Sequence, residues 1–236
     1  MTNLRFARRE FADGAALAEA FADWTAALLR EAIAARGIAL LVISGGSTPK
    51  RYFATLSRRD LDWSRVAVTL ADERRVPDDS PRSNARLVRE TLLQNKAAAA
   101  QFCPLADSRL SPEQELASAA ARVAALPLPP DLVVLGMGDD GHTASWFPHS
   151  AVLPEVIDAA ARALVAAVPA PDKLEPRLTL TGRALLRARA LALQTEGPGK
   201  AATFARALED GPVADMPIRA ALREAGERLT LFQAAA

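Results

Sequence analysis

At 236 residues, half of them apolar, the chain can bury one large α/β core or two small ones, and its composition is not that of a disordered protein. A formal net charge of +1 gives no electrostatic case for nucleic acid or an acidic membrane surface, and no stretch reaches the ~18 apolar residues of a membrane helix. A single cysteine, Cys103, excludes an internal disulfide, and the start lacks the apolar run of a secretory signal, so a cytoplasmic protein acting on a small soluble molecule is expected.

In chain order, residues 14–36 read as a helix. Leu17, Phe21, Trp24 and Leu28 fall on one stripe, Asp13 can cap the start and Gly37 can end it. Residues 38–43 are continuously apolar, the pattern of a parallel strand covered on both faces. A glycine turn follows, then a helix through Tyr52, Phe53 and Leu56. Residues 65–70 read as a strand, 83–93 as a helix and 102–104 as a short strand. Ser111-Pro112-Glu113-Gln114 has the form of a helix start, with the helix stopped by prolines after Leu126. Strands are expected at 131–136, 163–168 and 191–194, with a Pro-rich turn after Val168 and an ambiguous short segment at 178–181. Residues 182–189 and 201–210 read as helices, and 229–232 as a last strand closing the sheet. Alternating strands and helices, with no repeat and no break in composition, predict an α/β fold in one domain, residues 1–236. Its centre is a mostly parallel sheet with helices on both faces, a Rossmann-like arrangement.

Four turns after strands concentrate the chemistry. Leu132 to Leu135 lead into Gly136, Gly138 and Gly141, with Asp140 and His142 two residues apart. Clustered glycines serve tight turns or close ligand approach, and strand ends in such sheets are where ligands bind. A lone histidine is usually a packed or capping residue. Here a carboxylate two positions earlier suits an imidazole acting as general base, since a free imidazole titrates near 6.5. The turn from Ser44 to Thr48, through Gly45, Gly46 and Ser47, offers N–H groups and hydroxyls to a phosphate, although a plain strand-to-helix turn has the same look. Asp72-Glu73-Arg74-Arg75 can hold sugar hydroxyls and a phosphate, although alone such a cluster is more often a solvated loop. Only four of the 29 basic residues are lysines, Lys50, Lys96, Lys173 and Lys200. Lys200, after Gly197-Pro198-Gly199, stands at a helix start, where a cation is better placed beside a bound anion. Two histidines and one cysteine do not make a zinc site, so no metal is expected. His149 reads as exposed, Cys103 as an inert buried thiol, and Trp24 and Trp63 as packing residues.

Taken together, the motifs resemble the 6-phosphogluconolactonase family, within the larger glucosamine-6-phosphate deaminase-like superfamily. The matching segments run in family order: Ser44 to Pro49, Asp72-Glu73-Arg74 with Val76-Pro77, Ser83-Asn84, Gly136 to Ser145, Pro176 to Thr181, Gly199-Lys200-Ala201 and Met216-Pro217-Ile218. Leu70-Ala71 and Ala85 stand where the family often has an aromatic with Gly, and an aromatic. The resemblance implies the superfamily's three-layer sandwich and hydrolysis of 6-phosphoglucono-1,5-lactone to 6-phosphogluconate in the oxidative pentose phosphate pathway. It also implies no cofactor, a phosphorylated sugar lactone as the small-molecule partner, and a functional link to glucose-6-phosphate dehydrogenase. On this reading His142 takes a proton from the attacking water and Asp140 orients its ring. Glycine-turn N–H groups, helped by Arg74, hold the oxyanion. Gly45, Gly46, Ser47, Thr48, Arg74 and Lys200 grip the phosphate, with Arg177 a further candidate and Asp72 a partner for sugar hydroxyls.

Two other readings stay open. An aminosugar-phosphate deaminase/isomerase of the same superfamily places a Glu five residues after the histidine and tends to have a Tyr after Asp-Glu; this chain has Phe147 and Arg74. A non-catalytic sugar-phosphate sensor is normally joined to a DNA-binding helix-turn-helix, and the first 40 residues hold one amphipathic helix and no basic recognition helix.

Overall fold

The structure, a computed structural model, describes residues 5–169 and 175–235. Residues 1–4, Lys173 and most of the Pro-rich turn expected after Val168 lie outside the described residues. The chain opens with strand β1 (Ala7–Phe11) and helix α1 (Gly14–Arg36). Asp13 caps α1 by accepting from the Ala15 and Ala16 N–H groups at 2.9 and 2.8 Å, and Gly37 ends it. Leu17, Phe21, Thr25 and Leu29 are buried along its core face, while Trp24 and Leu28 are only partly covered. There follow β2 (Ala39–Ile43), α2 (Lys50–Leu56), β3 (Val66–Leu70), β4 (Asp72–Arg74), α3 (Asn84–Thr91), β5 (Gln101–Cys103), α4 (Pro112–Ala124) and β6 (Leu132–Leu135). The second half holds α5 (Leu153–Val156), β7 (Val165–Val168), β8 (Arg177–Leu180), α6 (Gly182–Leu185), β9 (Ala190–Glu196), α7 (Pro198–Leu208), α8 (Ile218–Ala225) and β10 (Leu229–Ala234). At α4 the expected capping box forms: Ser111 Oγ accepts from Gln114 N–H, and the Gln114 side chain accepts from Ser111 N–H.

Among the described residues, seven strands form one parallel sheet in the order β1-β10-β9-β6-β2-β3-β5, flanked by helices. Every residue of β2, β3 and β6 is buried, as a sheet covered on both faces requires. The chain winds outward from β2 through β3 to β5, then returns to the other side of β2 with β6. The order therefore reverses between β2 and β6, and ligands bind at the carboxyl ends of strands at such a switch point. No helix of the described residues is long and apolar enough to cross a membrane.

The structure departs from the sequence reading in several elements. β1 is a mostly exposed edge strand whose side chains show no apolar alternation, so its sequence carries no strand signal. It lies outside β10, which is therefore not the closing strand. Residues 72–74, read as a turn, are β4. This strand joins β8 and β7 in a separate three-stranded antiparallel sheet, so 163–168 and 178–181 do not extend the parallel one. The helix expected over 182–189 stops at Leu185, and α8 had no reading of its own. Cys103 is half-buried rather than buried, and that burial pushes its thiol up. Leu70, Ala71 and Ala85, the departures from the family pattern, are all buried in the core.

Candidate active site

The ends of β2, β3, β6 and β9 meet the small antiparallel sheet around a cleft of about 500 Å³. Ala71 is the joint between the two sheets. Its N–H donates to the Ile43 carbonyl at 2.8 Å, and its carbonyl accepts from Leu180 N–H at 2.8 Å. The glycine loop after β6 ties to the same small sheet. Ser145 Oγ donates to Asp72 Oδ2 at 2.6 Å, and Trp146 Nε1 donates to the Leu180 carbonyl at 3.0 Å. Segments distant in sequence are thereby fixed around one opening.

Gly45, Gly46, Ser47, Thr48, Asp72, Arg74, His142, Arg177 and Lys200 all line this cleft. Asp140 does not. It stands behind His142, with Oδ1 2.6 Å from the ring Nδ1 and accepting from His142 N–H at 3.0 Å. Burial raises the Asp140 carboxyl, but hydrogen bonds from the ring and the N–H, with the imidazole's charge, bring it down to about 2. An ionised carboxylate only accepts, so Nδ1 must carry the proton that bridges them. In the neutral ring the lone pair then sits on Nε2, which has no protein partner among the described residues. Gly138 makes the pair possible: a Cβ there would stand 2.1 Å from His142 Nδ1 and 2.7 Å from Asp140 Oδ1. Phe147 flanks the imidazole, ring centroids 5.0 Å apart.

The other wall is cationic. Arg74 and Arg177 are register partners in the β4–β8 ladder, an unfavourable placement for like charges, and Arg82 lines the cleft beside them. Burial first, then the Arg74 charge, pushes the Arg177 guanidinium down, and Arg74 Nε is buried without a partner. An anion bound between the guanidinium groups relieves both costs. Lys200 pairs with Asp139 at 2.7 Å, and Arg206 donates to the Asp139 carbonyl at 2.8 Å, so α7 is pinned to the glycine loop. Among the described residues no group of three or more His, Cys, Asp and Glu side chains is placed to hold a metal ion.

Glu73 turns away from the cleft and clamps the start of α3. Its carboxylate accepts from the Asn84 and Ala85 N–H groups at 2.8 and 2.6 Å and from Ser83 Oγ at 3.2 Å. Burial pushes Glu73 up, and these N–H donors oppose the shift without cancelling it. The clamp delivers Asn84, whose Nδ2 donates to the Asp72 carbonyl at 2.9 Å and whose Oδ1 lies so near Gly45 that a Cβ there would be 1.9 Å away. Ser44, the first residue of the turn read for a phosphate, also lines the cleft, as do Arg82, Asn84, Phe147 and Gln194, which the sequence does not single out as site residues. Asn84 lay within a matching motif, and Gln194 is the polar end of an apolar strand, so both carried a usable signal. Arg82 carried none.

The switch-point cleft of this α/β protein sets a carboxylate-braced imidazole opposite a cluster of guanidinium groups, an arrangement chemically able to transfer a proton beside an anion. Residues 12–231 match the family described as glucosamine-6-phosphate isomerases/6-phosphogluconolactonase, and the chain belongs to that family. It is 50% identical over 224 residues to a 6-phosphogluconolactonase from Rhizobium meliloti (strain 1021), covering 95% of this chain and 97% of that one. A 6-phosphogluconolactonase from Pseudomonas aeruginosa is 44% identical over 206 residues, with 87% of each chain covered. Among solved structures, a 6-phosphogluconolactonase from Shewanella baltica OS155 superposes with a TM-score of 0.94 at 42% identity, covering both chains completely.

Proposed function

We propose that the chain is a single-domain 6-phosphogluconolactonase that hydrolyses 6-phosphoglucono-1,5-lactone to 6-phosphogluconate. The observation that carries the reading is the His142–Asp140 pair at 2.6 Å on the rim of a cleft whose other wall holds Arg74, Arg82 and Arg177. A lactone is an activated ester, so one base and one oxyanion site suffice. His142 Nε2 takes a proton as the water oxygen bonds to C1, and the carbonyl electrons move onto the carbonyl oxygen. N–H groups of the glycine turns, with Arg74, hold the negative charge that forms there. Collapse of the intermediate breaks the bond from C1 to the ring oxygen, which leaves with the proton from His142. The open-chain acid then loses its own proton to solvent. Asp140 keeps Nδ1 protonated and supports the imidazolium while it lasts.

The phosphate is gripped by Gly45 to Thr48, Arg74, Arg177 and Lys200, and its binding energy positions the lactone. Asp72, held by Ser145, faces the sugar hydroxyls. This chemistry needs no cofactor. We place the enzyme in the cytoplasm, in the oxidative pentose phosphate pathway beside glucose-6-phosphate dehydrogenase. Phe147 stands where a deaminase of this superfamily has its glutamate, and an apolar ring cannot shuttle protons. The test is loss of lactone generated in place, followed with and without protein, alongside an ammonia assay on glucosamine 6-phosphate. A protein-dependent rate above the blank with no ammonia is expected; ammonia release, or a lactone rate equal to the blank, overturns the reading.

A further inference from the structure

The floor of the cleft holds two polar side chains that the mechanism leaves unused. Ser44 follows β2 and is 7% exposed; Gln194 lies on β9 and is 4% exposed. Both line the cleft, and Ser44 Oγ and Gln194 Oε1 are buried without a hydrogen-bond partner among the described residues. The amide cannot be turned to remove the problem. Gln194 Nε2 donates to Glu196 Oε1 at 2.8 Å and to the Thr48 carbonyl at 3.4 Å, and both of those groups only accept. Oε1 is therefore the atom left over, held in one orientation by its own amide nitrogen. A buried acceptor without a donor is costly, so this position demands a donor from outside the protein. Ser44 Oγ can donate or accept, and its backbone N–H is already committed to the Val134 carbonyl at 3.0 Å.

We propose that Gln194 and Ser44 are specificity-determining residues that read ring hydroxyls of the sugar lactone, Gln194 Oε1 accepting from one hydroxyl and Ser44 Oγ bonding another. The inference rests on the lactonase reading and adds the part of the substrate that neither His142 nor the arginines address. A site built to satisfy a buried acceptor with a substrate hydroxyl rejects the analogue that lacks it, because the acceptor is then buried unpaired.

The test measures kcat and KM for 6-phosphoglucono-1,5-lactone and for its 2-deoxy, 3-deoxy and 4-deoxy counterparts, each corrected for spontaneous hydrolysis. The proteins compared are native, Gln194→Met and Ser44→Ala. Native protein is expected to lose about 10²-fold or more in kcat/KM on at least one deoxy lactone. Gln194→Met is expected to lose about 10–100-fold on the parent lactone, and its penalty for one particular missing hydroxyl is expected to shrink by about the same factor. Ser44→Ala is expected to do the same, more weakly, for a different hydroxyl. The native measurements need no variant to fold. Native protein that turns over all four lactones equally well overturns the inference alone, as does Gln194→Met slowing all four by one common factor. Native protein that turns over none of them overturns the lactonase reading and the inference with it.

Discussion

A 2.6 Å contact between Asp140 and His142 decides which ring nitrogen is free to act. Replacing Asp140 with Asn puts an amide donor within reach of Nδ1, favouring the ring form that carries its proton on Nε2. That form has no lone pair on Nε2 to take the proton from water, so Asp140→Asn is expected to lose about 10²–10⁴-fold in kcat, with KM moving far less because Asp140 does not line the cleft. Steady-state kinetics on the lactone checks the split. The same carboxylate has a stability signature. Its folded value of about 2 lies below the ordinary 3.8, so its stabilisation is present above 3.8 and is lost as pH falls through about 2. Urea unfolding of native and Asp140→Asn protein across that window is expected to show their difference shrinking as the pH is lowered. A difference that stays constant contradicts the assignment.

At the scale of elements, the β4 strand and the start of α3 depend on Glu73. Glu73→Ala leaves the Asn84 and Ala85 N–H groups without their acceptor, which costs about 1–3 kcal/mol for each group that stays buried and unpaired. A lower urea midpoint together with a raised KM is expected, since Asn84 and Arg74 both sit at the cleft. The parallel strands around the cleft were legible because β2, β3 and β6 are buried on both faces, and their sequences are apolar throughout except at Thr69 of β3. The three glycine turns were legible because they follow the strand patterns of β2, β6 and β9. β4 was not, because three charged residues in a row carry no apolar pattern, and its pairing with Arg177–Leu180 crosses about a hundred residues of chain. β1 was hidden for a related reason: an exposed edge strand needs no buried face. Glu73 reads in sequence as one more charge in a loop, and only the fold turns it into a clamp on α3.

Across the whole molecule, the small antiparallel sheet sets two guanidinium groups against each other at the mouth of the parallel one. Like charges so placed cost stability in the free protein, and the proposed binding of an anion between them offsets that cost. Arg177→Met is therefore expected to melt no lower than native protein without ligand, and to lose most of the rise in Tm that 6-phosphogluconate gives native protein. A thermal shift titration reads both quantities, and an unchanged ligand response in the variant removes Arg177 from the anion site. The account as a whole depends on the imidazole at the end of β6 moving a proton for water attack. Its most direct test is the blank-corrected rate of lactone hydrolysis by native protein and by His142→Ala, at matched concentration and with folding checked by circular dichroism. A fall of about 10²–10⁴-fold in kcat is expected; a variant that hydrolyses the lactone at close to the native rate contradicts the account.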